Sequence, residues 1–481
     1  MSEKELPAGW VWAELGDLLR DPLRNGHSAP ATQGGDGVRT LSLTAVTQAN
    51  FSIENTKITS ADPSRVEDLW LEPGDILVQR SNTPDLVGTA AIYDGSRRWA
   101  IFPDLMIRVR VSELILPKFV ALVLNGDRAR SYFKAKAKGL SGSMPKIDQS
   151  TISSIVVPVP PLAEQTRIVE VLESRLSRLN AAVGTVRNSR KRLVNLKKSI
   201  LLDIVPDEVP RSWISVTVEQ AGTVELGRAR HPDWHHGPEM RPYLRVANVF
   251  EDRIDTSDVM EMDFSGIFEK YRLHPGDVLL NEGQSPHLVG RPALYRGEPP
   301  NVAFTNSLLR FKANSNVMPE WALMVFRRHL HARRFMKEVR ITTNIAHLSS
   351  KRLKAVEFPI PPMDVQKELV LRCDELLSGV DAMDREAART LKRAENLRRA
   401  ILNRAFTGNL VPQDPTDEPA SALLARIQAE RAAQPKAKRP RRAATTPRKA
   451  TRAPGAAPTE SAPAPSPTAA PTHAVQQEFD L

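Results

Sequence analysis

Residues 71–95 read LEPGDILVQRSNTPDLVGTAAIYDG, and residues 273–297 read LHPGDVLLNEGQSPHLVGRPALYRG. Aligned without a gap at an offset of 202, they share twelve identical positions, from Leu71/Leu273 to Gly95/Gly297. A match of that density marks an internal duplication. The offset carries on through Phe102/Phe304, Arg108/Arg310, Pro117/Pro319 and Phe133/Phe335. Upstream, Leu41–Val46 answers Leu244–Val249 loosely, and the Pro-x-x-Trp of Pro7–Trp10 recurs at Pro210–Trp213. Downstream, VPVPPLAEQ at 157–165 answers FPIPPMDVQ at 358–366. A period of about 200 residues is far too long for a solenoid, so the unit repeated is a whole domain plus a helix.

Each copy has the same layout. Short apolar runs alternate with Gly, Pro, Asn and Asp, and Asp75–Val78 reads as a strand between the turn signals PGD and SNTP. A Pro-rich hinge comes next, at 158–161 and 359–362. Proline pre-organises a helix start and cannot continue a helix from before it. Long helices are therefore expected after each hinge. In the first, Leu172, Leu176, Leu179, Val183, Val186, Leu193, Leu196 and Ile200 make the apolar stripe, with Arg190 interrupting it. In the second, Cys373, Leu377, Val380, Ala387, Ala394, Leu397 and Ile401 do so. Such narrow stripes need a partner helix.

The 481 residues allow roughly two to four domains. A single cysteine, Cys373, excludes a disulfide framework or a multi-cysteine zinc site and fits a reducing cytoplasm. The start, MSEKELPAGW, has no signal pattern, and no apolar stretch approaches a membrane span. The net charge of +11 hints at nucleic acid, but residues 432–481 carry +5 of it, with eight Lys or Arg between Lys436 and Arg452. That Ala/Pro-rich tail reads as disordered. Its closing QQEFDL reads as a solvated terminus.

Two stretches carry a family resemblance. PVPPLAEQTRIVEVLESRL at 158–176 and NLRRAILNRAFTGNLVPQDPTDEPASALLARIQAER at 396–431 resemble the conserved regions of type I restriction–modification specificity subunits. GLSGSMPKID at 139–148 and TTNIAHLSSKRL at 342–353 resemble the loops that precede those regions. The first copy departs from the pattern, ending ILLDIVPDEVPRSW without the AFTGNLV element. The resemblance implies an α+β chain. Two homologous target recognition domains, 1–157 and 207–358, are expected to be joined by long antiparallel coiled-coil helices. These lie in 158–206 and 359–432, ahead of the tail at 433–481. It implies that each domain reads half of a bipartite asymmetric double-stranded DNA site and that the helices set the spacer. It further implies two methyltransferase subunits that methylate adenine and two restriction subunits. S-adenosylmethionine, ATP and Mg would sit on those partners and not on this chain, in the cytoplasm.

The residues themselves show no enzyme. There is no Asn/Asp-Pro-Pro-Tyr/Phe element to hold a flipped base, no Gly-rich cofactor turn and no P-loop. His231–His236 (HPDWHH) reads as a polar loop and not a metal site, and Cys373 as a small buried residue. DNA-contact candidates in the first copy are Arg80, Asn82 and Thr83, then Lys134, Lys136, Lys138, Ser141, Ser143 and Lys146. In the second they are Gln284 (beside Glu282), the basic stretch Arg327, Arg328, Arg333, Arg334 and Arg340, and Asn344. Lys neutralises phosphates, whereas Arg and Asn pair bidentately with guanine and adenine. The alternative for such charge runs is a solvated helix face. Rival readings of the whole are a methylation-only specificity subunit, a coiled-coil DNA-binding adaptor and a stand-alone enzyme.

Overall fold

The computed structural model describes residues 6–32, 36–47, 49–139, 144–342 and 345–433, with the backbone alone at 340–342. The described residues divide into two compact units: those up to Gly184 together with those from Leu391 to 433, and Thr185–Thr390.

In the first unit a four-stranded antiparallel sheet runs in the order Arg24–Asn25, Met106–Val109, Ile76–Gln79, Ala90–Ile92. The central strand is apolar at consecutive positions because both its faces are covered. Ile76 and Val78 enter a core with Val109, Phe119 and Leu172. Leu77 enters a second core with Ala91, Tyr93 and Phe102. The helix Pro117–Leu124 belongs to the first of these cores and starts on a proline.

The second unit repeats this down to the register. Its sheet is Gly222–Leu226, Leu308–Ala313, Val278–Asn281, Pro292–Leu294. Ile76 pairs with Val109 and Ile92, and Val278 with Phe311 and Leu294. Every partner is displaced by 202, so the identities of the sequence repeat hold identical backbone positions. Side chains repeat too. Arg108 Nη1 donates to the carbonyl of Trp70 at 3.2 Å, and Arg310 Nη1 to that of Arg272 at 2.6 Å. Gly88 and Gly290, at φ +80° and +74°, lie flat against Phe133 and Phe335, where a Cβ would meet the ring at 2.3 and 2.5 Å. Glycine is required there by both the backbone and the ring.

A two-stranded ribbon closes each domain. Val11–Glu14 pairs with Val156–Val159, and Ile214–Thr217 with Glu357–Ile360. The long helices start immediately after, at Leu162–Ile204 and Met363–Phe406. Their apolar positions alternate in steps of four and three, but two of the expected stripe members are corrected. Leu196 and Leu397 are 44% and 51% exposed, and the stripe passes instead through Lys197 and Arg398. One residue is about 100° of helix, enough to move a side chain out of a narrow seam. The polar seam members have partners. Arg190 holds Asp384 through two bonds of 2.7 and 3.2 Å, and Lys197 pairs with Asp381. Partner numbers fall as helix numbers rise, so these segments run antiparallel.

Helix ends are core residues. Ile200, Leu201, Ile204 and Val205 sit in the core of the second unit. Ile401, Leu402 and Ala405 sit in that of the first, with Phe406 edge-on to Phe119 at 6.0 Å. A last helix, Ala420–Ala433, adds Ala420 and Ile427 to the same core, and the Ala420 amide donates to the Gly9 carbonyl at 2.9 Å.

Candidate nucleic-acid interface

The candidate residues of the first copy are some sixty positions apart in sequence, and the backbone brings them together. Ser81 and Lys138 both bridge to Lys146. Lys138 and Lys146 exchange amide-to-carbonyl bonds of 2.8 and 2.9 Å, and the Ile147 amide donates to the Arg80 carbonyl at 2.9 Å. The result is a narrow ribbon; the candidates Ser141 and Ser143 lie outside the described residues. The second unit builds the same object at shifted positions. Gly283–Gln284 pairs with Ile345–His347, which pairs with Arg340–Thr342. Asn344 lies outside the described residues, and Arg340 is placed by its backbone only.

The side chains then sort themselves. Lys134, Lys136, Lys138 and Lys146 are exposed. Lys134 reaches Asp85 at 3.1 Å and Lys138 lies 3.9 Å from Asp148. Among the described residues Lys136 and Lys146 have no acidic partner. Asp148 caps the short helix Gln149–Ser153, and hydrogen bonds from the Ser150 hydroxyl and from Thr151 hold its carboxyl well below the usual range. Surface ion pairs of this kind contribute little, so these lysines remain available to an anion. Thr83 is exposed and its carbonyl closes the turn to Leu86.

Several candidates are engaged inside the fold instead. Asn82 is buried, donating to Gln79 Oε1 at 2.8 Å and accepting from the Thr83 amide at 2.7 Å. Gln284 is its counterpart and accepts from the Ser285 amide at 3.0 Å, so both cap a turn. Arg80 is half-buried, with Nη1 3.5 Å from the Asp104 carbonyl. Arg327 is paired with Glu251 at 2.9 Å. Arg328 is 5% exposed, donates to the Val205 carbonyl at 3.3 Å and pairs with Asp207. Arg334 is held between Glu357 at 2.7 Å and Glu338 at 2.8 Å. Among the described side chains of that basic stretch, Arg333 alone is exposed, at a left-handed φ of +55°. A basic run counted in sequence cannot distinguish these cases, because the acids that neutralise it come from distant segments. Missed altogether was His347, which pairs with Arg340 in the ribbon and reaches Glu282 Oε2 at 3.2 Å.

Residues 43–183 match the family model described as the type I restriction modification DNA specificity domain. The chain is 24% identical over 459 residues to the type I restriction enzyme EcoKI specificity subunit of Escherichia coli K12, covering 90% of this chain and 98% of that one. It is 23% identical to the StySPI specificity subunit of Salmonella potsdam, over 90% and 97% of the two chains. Over nine-tenths of its length the chain is thus similar to type I restriction enzyme specificity subunits. The fold agrees. A chain solved in work on complex assembly and conformational transition of the type I R-M system superposes with a TM-score of 0.66 at 20% identity, over 85% of this chain and all of that one.

The Pro-Pro-to-helix element has a physical role in this chain. Gln165 and Gln366 are fully buried at the first helical turn. Gln165 accepts from the Leu116 amide at 2.9 Å and donates to the Pro160 carbonyl at 3.0 Å. Gln366 accepts from Met318 at 2.8 Å and donates to Pro361 and Asn316, each at 2.9 Å. Each glutamine thereby ties hinge, helix and domain.

Two other candidate stretches are engaged by their neighbours. His231 accepts from the Asp233 amide at 3.3 Å in a short 3-10 turn, and Trp234 lies on Arg228 at 4.0 Å. Among the described residues no cluster of His, Cys, Asp or Glu is arranged for a metal. Burial pushes the Cys373 thiol up to about 11, so at neutral pH it stays protonated. No described helix is long and apolar enough to cross a membrane.

Proposed function

We propose that this chain reads a split, asymmetric DNA sequence for a type I restriction–modification complex and has no catalytic centre of its own. The observation that carries this is the pair of ribbons. One kind of ribbon, its pairing shifted by one residue between the copies, places Lys138 and Lys146 in the first unit and the backbone of Arg340 and His347 in the second. A conserved frame with changed side chains suits two domains that read different half-sites. Half-sites of pseudo-two-fold readers lie about one helical turn apart, roughly 34 Å.

In this reading the two long helices, of 43 and 44 residues, act as the ruler between half-sites and as the dock for two methyltransferase subunits. Exposed apolar side chains on them, Val194 on the first and Leu371, Leu376 and Met383 on the second, supply such a dock. Two restriction subunits complete the cytoplasmic complex. S-adenosylmethionine, ATP and Mg are held by those partners, and the adenine methylated in each half-site is chosen by this chain. The basic tail from Lys436 adds sequence-independent affinity.

The test is long-read methylome sequencing of host DNA with and without this chain alongside its modification subunit. The expected result is a bipartite motif with one modified adenine per strand that disappears without the chain. A Lys138→Ala/Lys146→Ala variant should blunt modification through the first half-site and lower the salt slope of DNA binding by up to about 2. Motifs that persist without the chain would refute the reading.

A further inference from the structure

The duplication supplies an internal control, because matched positions can be compared within one frame. The ribbon is tied to the sheet by the same bond in both units. The Ile147 amide donates to the Arg80 carbonyl at 2.9 Å, and the Leu348 amide to the Glu282 carbonyl at 2.7 Å. Arg80 and Glu282 therefore hold one place in the fold. Beside it Ser81 bridges to Lys146, and Gly283 pairs with His347. The first unit thus sets two cations at this place, and the second a carboxylate and an imidazole. Nowhere else in the matched ribbons is the sign of charge inverted among the described side chains.

The second arrangement has its own seat. Glu282 Oε2 lies 3.2 Å from His347 Nδ1, with the two side chains 23% and 43% exposed. The imidazole lies close over Gly283, where a Cβ would come within 3.1 Å of the ring. A serine like Ser81 would crowd that ring, so the glycine and the histidine belong together. Among the described residues His347 is the hydrogen-bond partner of the Glu282 carboxylate, and it occupies one oxygen. An ionised carboxylate only accepts hydrogen bonds, and it repels phosphate. On a surface that meets DNA its counterpart is then the amino group of a base. In the major groove adenine N6 lies between two acceptors, its own N7 and the thymine O4, which suits an amide better than an anion. Cytosine N4 has an acceptor on one side only and is the better match for a carboxylate.

We propose that Glu282 is a specificity-determining residue of the second unit. It accepts a hydrogen bond from the N4 amino group of one cytosine in its half-site, with His347 and Gly283 positioning the carboxylate. The first unit, with the donors Arg80 and Lys146 at that place, reads a different base there. The proposal rests on the split-site reading and names a base within it.

The experiment repeats the methylome sequencing with variants of the full chain beside its modification subunit. Glu282→Gln should change one half-site at one position, from cytosine to a mixture of cytosine and adenine, because an amide matches adenine. His347→Ala should loosen the same position and no other, and Arg80→Gln should leave that half-site as in wild type. Fluorescence anisotropy of the assembled chain and modification subunit then uses duplexes that differ at that base pair. Wild type should prefer cytosine roughly tenfold, and Glu282→Ala about onefold, with affinity for a random duplex undiminished. If the chain-dependent motif is unchanged in both Glu282 variants, or its half-sites contain no cytosine, the inference is overturned and the split-site reading stands. Loss of all modification in Glu282→Gln would make Glu282 a residue of the fold and overturn it too. A motif that does not depend on the chain removes the reading and the inference together.

Discussion

Replacing Gln165 by Leu should separate the hinge from its domain at little cost in volume. The wild-type amide is buried and has a forced orientation, since Leu116 offers an N–H and Pro160 a carbonyl. Leucine leaves both without a partner. The Pro160 bond is buried and the Leu116 bond partly so. An orphaned buried polar group costs about 1–3 kcal/mol and a partly wetted one less, which sums to roughly 2–4 kcal/mol. Gln366→Leu orphans a third group, the Asn316 carbonyl, and should cost about 1 kcal/mol more. Native-state hydrogen exchange reads each unit separately. At about 1.4 kcal/mol per decade, exchange at Leu116 should accelerate about thirtyfold or more in Gln165→Leu and leave Met318 unchanged, with the reverse in Gln366→Leu. Gln165→Glu should be worse than Leu, because a carboxylate cannot donate to Pro160 and adds a buried charge. Exchange at Leu116 within about threefold of wild type would refute the argument that this amide pins the hinge.

Other contrasts between the two copies and along the helices lead to three more outcomes. Gln79 donates to the Leu43 carbonyl and to Thr47 Oγ1, both at 3.1 Å, whereas its shorter counterpart Asn281 is fully buried with no partner for either side-chain atom among the described residues. Asn281→Gln should therefore raise stability by about 1 kcal/mol in urea denaturation, and a loss of stability would show that the longer chain does not fit. Burial lowers His329 to about 4 from an ordinary 6.5, with Nε2 donating to the Glu357 carbonyl at 2.9 Å. A depressed base takes up protons on unfolding, so its contribution is full above pH 6.5 and is lost as pH falls toward 4. His329→Gln should flatten stability between those pH values, and an unchanged slope would assign it to other groups. The bidentate Arg190–Asp384 pair in the helix seam should show a coupling of about 0.5–1 kcal/mol in a double-mutant cycle, and joint replacement by Leu should leave the helices no less stable. A coupling near zero would make Arg190 the interruption it resembles in sequence.

The sequence by itself determined the duplication, its offset, the hinge prolines and the long helices behind them. Each rests on local chemistry: turn residues at fixed spacing, proline's missing donor, a step of four and three. It also determined which loops differ inside the matched frame. The tertiary structure decided which cations face outward. Arg327, Arg328 and Arg334 are neutralised or buried by Glu251, Asp207, Glu338 and Glu357, most of them far away in the chain. It decided that Lys197 and Arg398, and not Leu196 and Leu397, hold the seam. In each case the deciding partner comes from another segment. A charge or a stripe position has its meaning only once that partner is in place.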